Sequence, residues 1–430
     1  MPLRIPFKWP SCKRIGGWSG AFLVALCMLV LRPSRKELNR MHPRLSTIIG
    51  SGRGRRWLPR AARVLPIVGL TAVAQCHPQS RTAVIGFAYG LPTPNAADVA
   101  EDAIRMLPPA DGIEFRITVA TAKLAGFPGN IEHARRLAAL PGVVGVVGHA
   151  GSRESIVSAR IYNEAGIPQI VPTGTSRWLR RAGPWTFMLA PDDSAEGAFI
   201  GRFVAERLRA SAVTIFYNDD EYGIGLRDGA AAELRARGIA VVDRVPISSV
   251  ACRGQEPEAG VRAVVDASLR RARPDAVIIA ARSYETGCVA RQVSQHLPTV
   301  PLVAGDGVEI GEPLLARAGR AVASLHVVAF WHPDVSDSVS RDFVTRFRQA
   351  AGRSPQPSDA LIFDGVMLLA QAGREVGPDR ERIRRYLESL GVSRPPYRGV
   401  TGPISFAAMR TRPLYMRRMQ GGTPIPVPAR

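Results

Sequence analysis

Short apolar runs recur along the chain from residue 81 onward, at 83–87, 113–119, 143–148, 169–171, 213–217, 240–245, 276–280, 302–304 and 325–329. Between most of them lie longer stretches in which apolar positions return every three or four residues, at 96–107, 131–140, 152–165, 194–209, 225–237, 258–271 and 284–295. The first pattern predicts strands and the second predicts helices. Their alternation, with strands apolar on both faces, predicts parallel sheets covered on both sides. Nine strands are many for one open sheet. A break at Pro191-Asp192-Asp193 divides them into two α/β lobes of similar size. After Phe330-Trp331-His332-Pro333 the pattern turns helical, at 340–351, 359–372 and 380–390, and the tail 413–430 is rich in Pro and Gly.

Composition agrees with this picture. With 430 residues, 46% hydrophobic and 22% charged, the chain can bury two cores. The net charge of +21 points at first to nucleic acid, but its location argues otherwise. Residues 1–76 hold fourteen Lys/Arg and one acidic residue, and so carry +13 of it. The remaining +8 is mostly arginine dispersed along helix faces, the pattern of a solvated surface with no nucleic-acid partner.

Residues 1–76 read as a leader. Two apolar runs, 20–31 and 64–74, are too short for an ordinary membrane span and suit a signal segment. The second follows five arginines and ends in Ala72-Val73-Ala74, so Met41 is the expected true start and cleavage is expected after Ala74. An anchor helix built from the first run is the alternative. Cys76 is a candidate for lipidation, although Gln75 stands where a small residue is usual. Downstream of it only Cys252 and Cys288 remain, either as a pair or as two unrelated thiols.

Parallel sheets place ligands beyond the carboxyl ends of their strands. Past Val147 comes Gly148-His149-Ala150-Gly151-Ser152, with Ser152 as the expected N-cap and Glu154 in the first turn. Either Ser152 caps the helix and does nothing more, or its hydroxyl and the helix N–H groups hold a carboxylate. Past Val171 comes Pro172-Thr173-Gly174-Thr175-Ser176, with three hydroxyls in one turn. Past Tyr217 comes Asn218-Asp219-Asp220-Glu221-Tyr222-Gly223-Ile224-Gly225. Its glycines invite a dinucleotide-loop reading, but three acids precede them and would repel a pyrophosphate. Tyr284 follows the strand at 276–280, and Asp306 lies between two glycines after 302–304, where it would suit an ammonium group. No nucleophile elbow, H-E-x-x-H or paired C-x-x-C appears, so no enzyme set emerges and no cofactor or metal is expected.

The ordered series Gly148-x-x-x-Ser152, then 164–176 (EAGIPQIVPTGTS), 218–225 (NDDEYGIG), 273–280 (RPDAVIIA), 358–372 (SDALIFDGVMLLAQA) and 399–406 (GVTGPISF) resembles the type I periplasmic binding proteins of the leucine/isoleucine/valine-binding kind. These are extracytoplasmic receptors of ABC importers. The resemblance implies an α/β fold of two doubly wound parallel-sheet lobes joined by a three-crossing hinge. Lobe I would be 81–191 plus 336–412, and lobe II 192–335 plus 413–430. It also implies a monomer that closes on a small-molecule ligand and serves an ABC permease in the membrane. Residue by residue, the carboxylate site falls on Ser152, Thr173 and Thr175, the cleft aromatics on Tyr222 and Tyr284, and the ammonium-binding acid on Asp306. The chain departs from the family after its first strand, where Ala88-Tyr89-Gly90 replaces a Gly-rich turn, and at Ala120-Thr121, where an acid is usual. The expected ligand is therefore an amino acid, an amide or a similar polar solute. A ligand-sensing module of the same fold with no transport role is the alternative.

Overall fold

The computed structural model describes residues 81–89, 96–107, 112–120, 126–248, 252, 257–334, 337–407, 412–420 and 423–427. The expectations for the leader, Met41 and Cys76 lie outside the described residues. No helix among those described is long and apolar enough to cross a membrane.

Five strands form the first sheet: β1 (Arg81–Ala88), β2 (Ile113–Val119), β3 (Val143–Gly148), β4 (Gln169–Val171) and β5 (Thr186–Met188). They lie in the order β2-β1-β3-β4-β5, all parallel. Every residue of β3 is buried, as a strand covered on both faces requires. The helices α1 (Ala96–Arg105), α2 (Gly126–Ala139) and α3 (Ser152–Glu164) link its strands.

The second sheet is built on β6 (Ala212–Asn218), β7 (Ala240–Ile247), β8 (Ala276–Ala280), β9 (Leu302–Ala304) and β10 (Leu325–Ala329). Its helices are α4 (Asp193–Phe203), α5 (Glu221–Ala236), α6 (Pro257–Arg271), α7 (Ser283–His296) and α8 (Glu312–Ala318). The chain then returns. Helices α9 (Ser338–Ala351), α10 (Pro357–Val376) and α11 (Arg380–Ser389) share one core with the first sheet. A small hairpin follows, β11 (Tyr397–Gly399) and β12 (Gly402–Ile404). Finally β13 (Tyr415–Gln420) and β14 (Thr423–Pro426) join the second sheet, giving the order β14-β13-β10-β9-β8-β6-β7.

The fold is thus α/β with two parallel-sheet lobes. One correction concerns the second sheet, because β13 runs antiparallel to β10 and makes it mixed. Its antiparallel pair falls in the Pro-rich tail, where the apolar pattern is weak. β5 and α8, three and seven residues long, are further elements that the apolar pattern did not predict.

Two further differences have local causes. α2 starts at Gly126, five residues before its apolar repeat. α5 starts at Glu221, ahead of the expected Gly225, because the Asp220 side chain accepts from the Gly223 N–H at 3.0 Å and caps it. The glycines of that stretch are therefore helical. They serve packing, since α4 and α5 cross closely through Gly197 and Gly201 on one side and Gly225 and Gly229 on the other. A Cβ on Gly229 would lie 2.7 Å from the Asp193 carbonyl oxygen, and one on Gly225 would collide with the Asp193 carboxylate.

Candidate functional site

The carboxyl ends of both sheets converge where the chain passes between them. On the first-lobe side, Gly148 (φ 139°) lets β3 end hard against the Ala88 carbonyl, a position no side chain could share. The turn that follows places Gly151 as the N-cap of α3, with the Ser155 N–H bonding the Gly151 carbonyl. This corrects the expectation that Ser152 caps the helix. Instead its Oγ accepts from the backbone N–H of Thr175 at 3.3 Å and of Ser176 at 3.1 Å. With both lone pairs engaged, Ser152 has its O–H left to donate.

Thr173 donates to the Ala150 carbonyl at 2.7 Å and accepts from the Tyr89 hydroxyl at 2.9 Å. Ser152, Thr173 and Thr175 therefore form one connected loop pair at the ends of β3 and β4. His149 takes no part. It is fully buried, with Nδ1 3.1 Å from Asn130 Oδ1 and Nε2 3.3 Å from the Tyr162 hydroxyl, and burial drives its pKa down to about 3.

The second-lobe side is acidic. Asp192 caps α4 through the Ala195 N–H at 3.0 Å and pairs with Arg180 at 2.7 Å. The next residue, Asp193, donates its N–H to the Thr175 carbonyl at 2.8 Å, which ties the wall to the Thr175 loop. Its carboxylate faces the Thr175 side chain. One turn later Glu196, wholly buried, accepts the Asp306 N–H at 2.7 Å. The Tyr222 hydroxyl accepts from Gly307 N–H at 2.9 Å and lies beneath the same turn.

Among the described residues, Asp193, Glu196 and Asp306 form no ion pair with Lys or Arg. Burial raises all three above the usual carboxylate range, Asp306 to about 6. Burial, then the Asp306 charge, raises the Tyr222 phenol too. Arg282 pairs with Asp220 at 2.5 Å, its guanidinium lies 5.3 Å from the Tyr222 ring centre, and its charge opposes the rise at Asp306.

The structure thus brings Ser152, Thr173 and Thr175 together, brings Tyr222 and Asp306 together, and joins the two groups through Asp193. Tyr284 stands in the first turn of α7, half-buried, with Arg317 over its ring at 5.8 Å. Three participants escaped sequence reading. Tyr89 is the first residue past β1, and its position beyond a strand end was the available signal. Asp193 stood in the lobe break and Glu196 one turn later, inside the expected helix 194–209, and neither follows a predicted strand end.

A cavity of about 220 Å³ opens beside this wall, with Arg153, Ser176 and Trp178 on one side and Asp193, Asp220 and Ile224 on the other. The two rims touch. Arg153 Nε lies 2.9 Å from Glu221 Oε2, Ser358 Oγ donates to Glu309 Oε1 at 2.7 Å, and Gln356 Nε2 donates to the Ile310 carbonyl at 3.1 Å. The lobes are closed on one another.

A family model described as "Periplasmic binding protein" matches residues 126–423. Among curated proteins, Leu/Ile/Val-binding protein homolog 1 of Brucella abortus is 26% identical over 273 residues, which is 62% of this chain and 69% of that protein. Among solved structures, an ABC transporter substrate-binding protein from Desulfitobacterium hafniense in complex with Leu is 26% identical. Its TM-score is 0.67, over 80% of this chain and all of that one. A leucine binding protein from Thermotoga maritima shares the fold with a TM-score of 0.72 at 22% identity, covering 80% of this chain and 98% of that one.

Proposed function

The chain belongs to the periplasmic binding proteins, in the Leu/Ile/Val-binding-protein-like type I family of ABC-transporter substrate-binding proteins, and on that premise we propose that it captures a small ammonium-bearing solute between its lobes and delivers it to an ABC permease. The family is extracytoplasmic and binds without catalysing. Residues 1–76 act as the leader, 81–191 with 336–412 as lobe I, and 192–335 with 413–430 as lobe II.

One observation carries the ligand class. Two buried acids, Asp193 and Glu196, and the half-buried Asp306 stand opposite the Ser152–Thr175 loops without an ion-pair partner among the described residues. Buried carboxylates are costly unless a cation or a proton neutralises them. An ammonium group supplies the cation, and a relative of this family is in complex with Leu, a solute that carries one. Asp306 and Asp193 hold the ammonium. The Ser152 O–H and the Thr175 hydroxyl hold the acceptor end, a carboxylate or amide, and Thr173, whose own O–H is committed to the Ala150 carbonyl, orders that wall. Tyr222 supports the Asp306 turn from below, and Tyr284 is the further aromatic of the site.

The test is a thermal-shift screen of amino acids, amides and simple amines on the full chain. A solute that binds only the folded state raises the melting point as ln(1 + [L]/Kd). The reading expects stabilisation by compounds with a free ammonium group and none by their N-acetylated forms. Equal shifts from both forms would exclude the acidic wall as the ammonium site.

A further inference from the structure

We propose that Cys252 and Cys288 are a built disulfide pair that staples the segment beyond β7 to helix α7. Both side chains are buried, Cys252 completely and Cys288 with 4% of its surface exposed, and both belong to the core on one face of the second sheet. The two thiols are in hydrogen-bond contact with one another. Residue 252 stands in a turn five positions past the end of β7, and residue 288 in the second turn of α7. Two thiols from separate elements thus meet inside an apolar core, where an apolar side chain would fill the same space.

The cross-link would close a loop spanning 36 positions (288 − 252). That span includes α6 and β8, so the bond would restrict a large part of the unfolded second lobe. It also would anchor α7, whose N-terminal end carries Arg282 and Tyr284. The bond forms by thiol–disulfide exchange with a protein or glutathione disulfide as oxidant. The two thiols lose two protons and two electrons, one Sγ–Sγ bond forms, and the oxidant's own S–S bond breaks to leave two thiols. In the folded protein the contact with Cys288, and then burial, hold the Cys252 thiol protonated, so the native pair reacts slowly. The bond is therefore made while the chain folds, before the core closes.

Formation in the cell rests on the extracytoplasmic reading above, because reducing compartments keep thiols apart. The experiment separates the two. Full-length protein is refolded in oxidised-glutathione buffer, alkylated without reductant and digested with trypsin. Protein from the cell envelope is treated in the same way. The expected product in both is peptide 245–253 joined to peptide 283–291, lighter than the two free peptides by two hydrogens. Oxidised protein is expected to melt roughly 5 °C above its reduced form. The Cys252→Ser/Cys288→Ser variant should melt at one temperature with or without reductant.

The linked peptide after refolding, with free thiols in envelope protein, would support the pair and overturn only the extracytoplasmic reading. Refolded, cooperatively melting protein with both thiols alkylated, or with either one joined to a cysteine of residues 1–76, would overturn the proposal.

Discussion

The backbone N–H of Asp306 donates to Glu196 Oε1 at 2.7 Å, so two acids 110 positions apart meet behind one wall of the cleft. Burial pushes the Asp306 carboxyl up to about 6, and burial followed by the Asp306 charge pushes Glu196 well above the usual range. The unfolded chain loses these protons at about pH 4. Above that pH the folded protein holds more protons than the unfolded chain, so stability falls as pH rises through the folded pKa values. The ligand-free protein is expected to melt lower at about pH 7 than at about pH 5, by at most about 1.4 kcal/mol per pH unit for each retained proton. Glu196→Gln should flatten the decline. A decline of equal slope in the variant would mean that other groups cause it.

Ligand affinity should run the other way. An ammonium group favours the ionised carboxylates, so binding tightens as pH rises over the same interval, measured by calorimetric titration with whichever solute the screen finds. Asp306→Asn keeps the shape of the turn and removes the charge. The ligand-induced thermal shift should vanish in it, while the ligand-free melting point stays level or rises because a buried charge has gone. Thr175→Val should abolish the shift from the opposite wall.

Gly229→Ala should destabilise the second lobe at the α4–α5 crossing, next to the backbone of Asp193. The added methyl lies 2.7 Å from the Asp193 carbonyl oxygen and 3.1 Å from the Ser194 Cα, both backbone atoms that cannot step aside. Overpacking of this kind costs about 2 kcal/mol, readable as a lower urea midpoint at unchanged slope. A midpoint unaltered by the substitution would mean that the α4–α5 crossing is looser than described.

The Arg153–Glu221 pair bridges the rims at 2.9 Å with both side chains partly exposed, 48% and 36%. Exposed pairs contribute about 0–1 kcal/mol. Arg153→Ala should leave the melting point of the ligand-free protein nearly unchanged and speed ligand release by up to about fivefold, the effect fading at high salt. Stopped-flow release rates at low and high ionic strength test this.

Strand and helix periodicity made the two-lobed α/β fold legible, because each buried strand and each amphipathic helix repeats its own local period. Residues standing just past strand ends were legible for a similar reason: Ser152, Thr173, Thr175, Tyr222 and Asp306 all follow apolar runs that a parallel sheet must terminate. The short strands at 186–188 and 423–426 left no such trace. The expected helix 225–237 already held the glycines at 225 and 229, and only their position against α4 shows them as the contact of a close helix crossing.

What the chain determines alone is which segments bury their side chains, since burial follows from side-chain type and spacing within a few turns. What the tertiary structure decided is the meeting of residues far apart in the chain: Glu196 with Asp306, Ser152 with the Thr175 and Ser176 amides, Arg153 with Glu221, Cys252 with Cys288. Such contacts depend on how the lobes and helices pack. A hydrogen bond between strand-end loops carries no periodic signal along the sequence, so no local pattern could have announced it.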